Sequence, residues 1–172
     1  VGEVISIAGL RGVELYEPGS LTIVVRAGTP VAEVEAMLAA QGQRLPFEPM
    51  DHRVLLGTQG EPTIGGVVAA NLSGPRRYRF GAMRDYLLGL TAVDGTGKVF
   101  SAGGRVVKNA AGYDLTRLMI GALGTLGVIT QVTLMVRPKS ERSAFAVIPT
   151  PSFEQADRLL DSLSSAEIEP TA

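Results

Sequence analysis

The 172 residues suffice for one full-sized domain or two small ones, and the 45% apolar content predicts a soluble globular protein with a buried core. Sixteen basic and seventeen acidic residues leave a net charge of -1, which gives no overall attraction for nucleic acid or an anionic membrane. No cysteine and a single histidine exclude thiolate, iron–sulfur and His-rich metal sites built from these residues alone, and we predict no metal.

The start of the chain indicates neither a membrane anchor nor a leader. No stretch approaches the ~20 apolar residues that span a bilayer, so no membrane span is predicted. The chain begins at Val1 without a methionine and shows no basic-then-apolar leader. We therefore expect a fragment whose start has been removed.

The first predicted elements are a β-hairpin and a helix. Strand-like residues flank the turn pair Pro18-Gly19 in VELYEPGSLTIVVRAG. Thr29 is the expected N-cap of the helix, Pro30 suits its first position, and Gly42 ends it. The predicted apolar face of this helix consists of Val31, Val34, Met37 and Leu38.

A change of composition begins at Pro62, in PTIGGVVAANLSGPRRYRFGAMRD. Glycines, small residues and basic residues here predict loop, short helix and loop, where another backbone or a ligand can approach closely. The arginines of the RRYRF run are interpreted as a solvated loop or an anion contact, because the net charge disfavours nucleic-acid stacking. His52 is interpreted as a surface or loop histidine.

A second hairpin, a helix and a strand follow. YLLGLTAVDGTGKVFSAGG predicts two strands joined at residues 94–97, and GVITQVTLMVRP predicts a strand closed by Pro138. Asp114 is the expected N-cap of a helix between them. Its predicted apolar face consists of Leu115, Leu118, Met119 and Ala122. We expect an α+β sheet that contains residues 87–93 and 128–136, with this helix packed on it.

The last residues predict a strand in SAFAVIP and then a helix. Ser152 with Gln155 three positions later forms a capping-box pattern at the start of that helix. Its predicted apolar face consists of Phe153, Ala156, Leu159, Leu160 and Leu163.

Three glycines recur at intervals of three in GALGTLGVIT, which implies close approach to the backbone. GTGK at residues 95–98 lacks the first Gly and the Ser/Thr of a P-loop. GALGTLG lacks the Gly-x-Gly-x-x-Gly spacing and follows a helix, so a Rossmann fingerprint is rejected. One histidine and no Gly-x-Ser-x-Gly elbow leave no Ser-His-Asp arrangement.

Three segments together carry a family resemblance: GTPVAEVEAMLAAQGQRLPFEP, TIGGVVAANLSGPRRYRFGAMRDYLLG and GGRVVKNAAGYDLTRLMIGALGTLGVITQVTL. They resemble the FAD-binding domain of the p-cresol methylhydroxylase and vanillyl-alcohol oxidase superfamily, and within it the FAD-binding subunits of bacterial glycolate oxidases. The resemblance implies an α+β fold of two subdomains with FAD extended between them. It implies residues 1–60 as the rest of the first subdomain, 61–138 as the second, and 139–172 as the start of a truncated substrate (cap) domain.

The resemblance also implies which residues contact FAD, largely through backbone N–H groups. No catalytic residue is assigned. Lys108, Asn109, Gly112 and Tyr113 match a further motif of these subunits without a defined role. The implied cofactor-binding residues are Pro62, Thr63, Gly65, Gly66, Ala70, Asn71, Ser73, Gly74, Gly81, Asp85, Leu123, Gly124, Thr125, Gly127, Val128 and Ile129.

One family feature is missing from the sequence. Members carry a Gly-Gly-Gly-Thr/Ser loop for the FAD pyrophosphate, and no such sequence occurs here. We therefore expect the 172 residues alone to bind FAD weakly or not at all, and to be inactive by themselves.

The resemblance implies an FAD-dependent oxidoreductase subunit that takes part in converting glycolate to glyoxylate. Its implied partners are a second FAD-binding subunit, an iron–sulfur subunit and a small 2-hydroxy acid substrate. The implied location is cytoplasmic, at the inner membrane only through partner subunits. Two alternatives stay open: another flavin-dependent 2-hydroxy acid dehydrogenase of the same fold, or a non-catalytic electron-relay or structural subunit.

Overall fold

The fold is described from a computed structural model, which describes residues 4–104, 113–144 and 146–166. The chain divides into two compact units, Val1–Lys139 and Ser140–Ala172. In chain order the helices and strands are β1 (Val13–Glu17), β2 (Thr22–Arg26), α1 (Val31–Ala40), β3 (Gln43–Arg44), α2 (Arg53–Leu56), α3 (Ile64–Ala70), α4 (Arg77–Phe80), α5 (Met83–Tyr86), β4 (Leu87–Val93), β5 (Val99–Gly103), α6 (Leu115–Met119), β6 (Val128–Met135), β7 (Arg137–Pro138) and α7 (Phe153–Ser164).

The first unit is organised around a five-stranded sheet of order β1-β2-β6-β4-β5. Every neighbouring pair is antiparallel. β6 lies at the centre and pairs with β2 on one side and β4 on the other, and the small sheet β3-β7 stands apart. The predicted α+β sheet with strands at 87–93 and 128–136 is confirmed, as are both hairpins.

The sheet combines strands from residues 13–26 and 87–135, on both sides of the predicted boundary at residue 60. The division into 1–60, 61–138 and 139–172 stays a prediction about the whole fold. The core between sheet and helices includes Ile23, Val34, Val68, Val132 and Leu134, all fully buried. Such burial supplies most of the stabilisation of a fold of this kind.

Two predictions about α1 are wrong. Thr29 is not its N-cap: the helix begins at Val31, with Pro30 at the N-cap position rather than the first helical one. The Thr29 hydroxyl instead donates to the Arg26 carbonyl at 2.7 Å and accepts from the Gly12 amide at 2.9 Å. Met37, predicted in the apolar face, is 37% exposed. The Thr29 hydroxyl forms its hydrogen bonds with the neighbouring hairpin, and this tertiary contact overrides the local capping preference.

α6 is shorter than predicted and faces the core differently. The Asp114 carboxylate accepts from the Arg117 amide at 3.0 Å, which confirms the N-cap. The helix ends at Met119, and its buried residues are Thr116 and Met119, whereas Leu115 and Leu118 are exposed. A helix of five residues can pack only one narrow side against β4 and β5. The prediction of a four-residue apolar face is therefore wrong.

The second unit contains α7, whose Ser152 hydroxyl accepts from the Gln155 amide at 3.3 Å as predicted. Residues 143–144 and 146–149, the described part of the predicted strand, are not in a strand. The structure describes no partner strand beside them, and an isolated extended segment has no ladder of hydrogen bonds to hold it. Phe153, predicted in the apolar face of α7, is 96% exposed.

Candidate functional site

The short helix α3 is fixed at its start by the end of β2 and the loop after it. Its N-cap Thr63 accepts a hydrogen bond from the Gly66 amide at 3.2 Å. The Ile64 amide donates to the Thr29 carbonyl at 3.0 Å, and the Gly65 amide donates to the Ala27 carbonyl at 2.7 Å. These bonds tie the helix start to the sheet, which gives the surface of α3 a defined position.

Two adjacent glycines in α3 have opposite surroundings. A Cβ on Gly65 would lie 2.7 Å from the Ala27 Cβ and 2.9 Å from the Ala27 carbonyl oxygen. Gly65 is therefore required for packing of α3 on the sheet. Gly66 is exposed, and a Cβ there would meet only the Thr63 hydroxyl, at 3.3 Å. Gly66 leaves open space in front of the helix.

That open space is a cleft of about 510 Å³. Four of the predicted cofactor-binding residues line it: Pro62, Thr63, Gly66 and Ala70. The volume lies within the range of about 300–1,000 Å³ typical of cofactor and small-molecule sites. The structure thus brings together the part of the predicted set that flanks α3.

Sequence analysis missed the opposite side of the cleft. Its lining also contains Met50, His52, Arg53, Leu56, Thr58, Gly60, Glu61, Val67 and Leu72. His52, interpreted as a surface or loop residue, lies just before α2 and contributes to this lining. Most of these residues precede Pro62, in a segment without a recognisable motif, whereas Val67 lies in α3 and Leu72 follows it. The only signal in the sequence was their nearness to the glycine-rich helix.

A second predicted segment, residues 121–125, docks on the end of α3. The Gly121 amide donates to the Val68 carbonyl at 3.1 Å, and the Leu123 amide donates to the Ala69 carbonyl at 2.9 Å. Asn71 caps α3 in the left-handed conformation, with φ 51°. The structure therefore places Ala70 and Asn71 beside the glycine-rich segment, although about fifty residues separate them in sequence.

Residues 122–125 form a tight turn. The Thr125 amide donates to the Ala122 carbonyl at 2.9 Å, and the central residues Leu123 and Gly124 have φ of 52° and 77°. Positive φ at both central positions is typical of a type I′ turn. Leu123 is 72% exposed, so this turn projects from the surface beside α3.

Gly127 lies where two segments of the backbone pack closely together. A Cβ there would lie 2.6 Å from the Val93 carbonyl oxygen, at the point where β4 and β6 meet. Val128 pairs with Val93, and Ile129 pairs with Ala92 and is buried in the core. At Gly127, the close approach that GALGTLG implies is therefore between two segments of this chain, at Gly127 and Val93. The predicted FAD contacts of Gly127, Val128 and Ile129 stay predictions.

The two glycines of this segment should respond differently to substitution. Gly127→Ala is expected to destabilise the protein by about 1–3 kcal/mol, because the new methyl group overlaps a backbone oxygen. Gly124→Asn is expected to change stability by less than about 1 kcal/mol, because nothing lies within 4 Å of its Cβ position and asparagine tolerates positive φ. Urea unfolding of both variants measures this. Equal losses would contradict the assignment of Gly127 to strand packing.

The remaining predicted residues lie in the loop after α3, between α4 and α5, and in α5. The Ser73 hydroxyl accepts from the Met83 amide at 2.9 Å, and the Asp85 carboxylate accepts from the Ala82 amide at 2.8 Å. Gly81 has φ 91°, and a Cβ there would lie 3.0 Å from the Asp85 carboxylate. Ser73 and Asp85 thus both hold the start of α5, a structural role that sequence reasoning did not assign to them.

Gly74 contacts the loop that follows β3. Its amide donates to the Phe47 carbonyl at 2.9 Å, and a Cβ on Gly74 would lie 2.8 Å from the Glu48 Cβ. The Glu48 carboxylate forms an ion pair with Arg76. The hydrogen bond from Arg76 holds the pKa of Glu48 below its ordinary value. Arg76, predicted in a solvated loop or an anion contact, is paired with this carboxylate of the same chain.

The predicted motif residues Lys108, Asn109 and Gly112 lie outside the described residues, and Tyr113 is 97% exposed. Across 4–104, 113–144 and 146–166, no group of three His, Cys, Asp or Glu side chains is arranged to hold a metal ion. Within the same ranges, no helix has the length and apolar character needed to cross a bilayer.

The cleft fits part of a flavin dinucleotide. Apolar side chains such as Met50, Leu56 and Val67 offer a surface for a flat aromatic ring, and the Thr63 hydroxyl is a polar group at the edge. Gly66 leaves the space in front of α3 free. An aromatic ring system such as that of a flavin matches this combination.

The chain belongs to the FAD binding domain family, whose model matches residues 1–103. The α+β fold of this family and FAD as the cofactor, both predicted from the resemblance, are confirmed.

Among individual proteins, the glycolate oxidase subunit GlcE of Escherichia coli (strain K12) is 43% identical over 142 residues, which cover 83% of this chain and 39% of that protein. A D-lactate dehydrogenase of Archaeoglobus fulgidus is 40% identical over 94 residues, covering 55% of this chain and 21% of the enzyme. A solved alkyldihydroxyacetonephosphate synthase shares the fold, with a TM-score of 0.66 and 24% identity over 94% of this chain and 28% of that one. The chain thus spans well under half the length of the relatives it matches.

Proposed function

We propose that this chain contributes the FAD-binding part of an oxidoreductase subunit that oxidises glycolate to glyoxylate. The observation that carries the proposal is the cleft in front of α3, lined by Pro62, Thr63, Gly66 and Ala70, in a chain of the FAD binding domain family. The identity of 43% to a glycolate oxidase subunit over 83% of the chain supports the substrate. The sixteen predicted cofactor-binding residues remain part of this proposal, Gly65 through its packing of α3 on the sheet rather than through contact with FAD.

In this proposal the chain positions the cofactor and excludes water from one side of it. Bound FAD supplies the group that accepts the two electrons removed from the hydroxy acid. Gly66 keeps the space in front of α3 free, and the apolar lining residues Met50, Leu56 and Leu72 shield the ring. The turn at Leu123 and Gly124 offers backbone groups beside the end of α3. No described side chain is assigned to proton transfer.

Two alternatives concern the substrate and the role of the subunit. The relationship to a D-lactate dehydrogenase favours a different 2-hydroxy acid as the second candidate. The other alternative is an electron-relay or structural subunit, with a sister FAD subunit oxidising the substrate. The cleft supports cofactor binding in either case, so these alternatives differ only in what reduces the flavin.

Partner subunits are also part of the proposal. The relative from Escherichia coli is named as a subunit, which supports assembly with other chains. We propose a second FAD-binding subunit and an iron–sulfur subunit. The 172 residues contain no cysteine, so the ligands of a cluster must come from elsewhere. A cytoplasmic location, at the inner membrane through these partners, follows from the same resemblance and is tested by cell fractionation.

The test uses the complete assembly of subunits, because we predict that these 172 residues alone bind FAD weakly or not at all. Glycolate or D-lactate is added anaerobically, and loss of the flavin absorbance is followed for each. A matched assembly carries a sister subunit whose own flavin site is disabled. Faster bleaching by glycolate in that assembly is the expected result. Bleaching by D-lactate but not by glycolate favours the second substrate. The relay role is favoured if neither acid bleaches the flavin in that assembly, while both flavin sites bleach when the sister subunit is intact.

A further inference from the structure

The loop between β3 and α2 and the loop between α3 and α4 are held together outside the cleft. The Gly74 amide donates to the Phe47 carbonyl at 2.9 Å, and the Gly74 backbone lies against Glu48. Arg76 forms its ion pair with the Glu48 carboxylate through Nε and Nη2. Backbone and side chains therefore join the two loops at adjacent points.

The same two loops form walls of the cleft. Met50, two residues after Glu48, lines it from the first loop, and Leu72, two residues before Gly74, lines it from the second. Glu48 and Arg76 are absent from the cleft lining themselves. A change in their pairing would reach the cleft only through the loops.

Glu48 has an unusual backbone for its residue type. Its φ is 49°, in the left-handed region that residues with a Cβ other than Asn and Asp rarely adopt. Residues held in such conformations persist when their surroundings fix them, and they cluster where position matters for function. The carboxylate explains the choice of residue, because it is the group that reaches Arg76.

The pair contributes little to folding stability. Its side chains are 23% and 38% exposed, and ion pairs that solvent screens in this way are weak. The left-handed backbone of Glu48 also costs conformational energy. Aromatic contacts extend the cluster, since the guanidinium groups of Arg44 and Arg76 lie 4.8 and 5.9 Å from the centre of the Phe80 ring. What the structure shows of the pair is its link between the two loops.

We propose that Glu48 and Arg76 are a positioning pair that fixes the separation of Met50 and Leu72, and thereby the shape of the cleft that receives FAD. The inference rests on the proposed function. It adds two residues outside the predicted cofactor-binding set, which act through the loops rather than by touching the cofactor.

Glu48→Gly is the main test, because glycine accepts φ 49° without strain while the ion pair is lost. The melting temperature of the flavin-free assembly is expected to stay within about 2 °C, since relief of strain offsets the greater freedom of the unfolded chain. The dissociation constant for FAD in the complete assembly is expected to rise about five- to tenfold, and the absorbance bands of bound flavin are expected to shift. Arg76→Met should likewise raise the dissociation constant for FAD and shift the absorbance bands of bound flavin. Arg26→Met, which breaks a more exposed ion pair between β1 and β2, is the control and should change neither flavin affinity nor the flavin spectrum.

Hydrogen exchange of the Gly74 amide separates this inference from the proposed function. Protection is expected to fall in Glu48→Gly and Arg76→Met but not in Arg26→Met. Unchanged protection, or unchanged flavin affinity and spectrum, overturns the positioning role. A wild-type assembly that retains no FAD in this subunit overturns the proposed function and the cofactor role of the pair, whereas lost Gly74 protection would still establish the contact between the loops.

Discussion

Gly66→Leu is expected to lower flavin affinity at least tenfold without lowering the melting temperature of the flavin-free assembly. The new side chain extends into the cleft in front of α3, where only the Thr63 hydroxyl lies near the Cβ position. Leucine is a better helix former than glycine by about 0.8–1 kcal/mol, which offsets the small displacement of Thr63. Tenfold weaker binding corresponds to about 1.4 kcal/mol. Flavin absorbance after gel filtration of the complete assembly, with a thermal melt, measures both quantities.

Gly65→Ala is the matched control at the neighbouring position. Its methyl group would overlap Ala27, so we expect a stability loss of about 1–3 kcal/mol, with flavin lost only as far as the fold is lost. The two variants therefore differ in which property changes first. If Gly66→Leu kept full flavin occupancy, the cleft in front of α3 would not be the cofactor site.

Leu134→Ala is expected to cost about 2–5 kcal/mol of folding stability, because it empties the centre of the core. Leu134 is fully buried on β6 and is paired with Ile23 on one side and Leu87 on the other. The cavity would lie where the central strand joins both halves of the sheet. Urea denaturation measures the change in the free energy of unfolding.

Leu118→Ala serves as the comparison for this core substitution. Leu118 is 58% exposed on α6, so its truncation is expected to change stability by no more than about 0.5 kcal/mol. Similar losses for Leu134→Ala and Leu118→Ala would show that β6 is not the centre of the core.

The candidate site was predictable only where its residues belong to a local motif. Pro62, Thr63, Gly66 and Ala70 could be predicted because they surround one glycine-rich helix that resembles a known family. The far wall, including Met50, carries no such pattern and enters the cleft only through the packing of a loop. Sequence could not separate Gly65 from Gly66 either, because their difference lies in which side of α3 meets Ala27.

Sequence by itself determined the features that depend on neighbours a few residues away. The Pro18-Gly19 turn and the turn at residues 94–97 specify hairpins, and Asp114 and Ser152 specify helix starts, because turn geometry and capping bonds are local. Glycine recurrence at residues 121–127 signalled unusual backbone in the same way.

Only the tertiary structure decided which distant segments meet. β2 pairs with β6 across more than a hundred residues of sequence, and this pairing forms the sheet on which α3 is fixed. The Thr29 hydroxyl bonds the β2 hairpin instead of capping α1, and Gly127 is pressed against Val93. Such contacts depend on burial and shape complementarity across the folded core, which no local pattern of residues encodes.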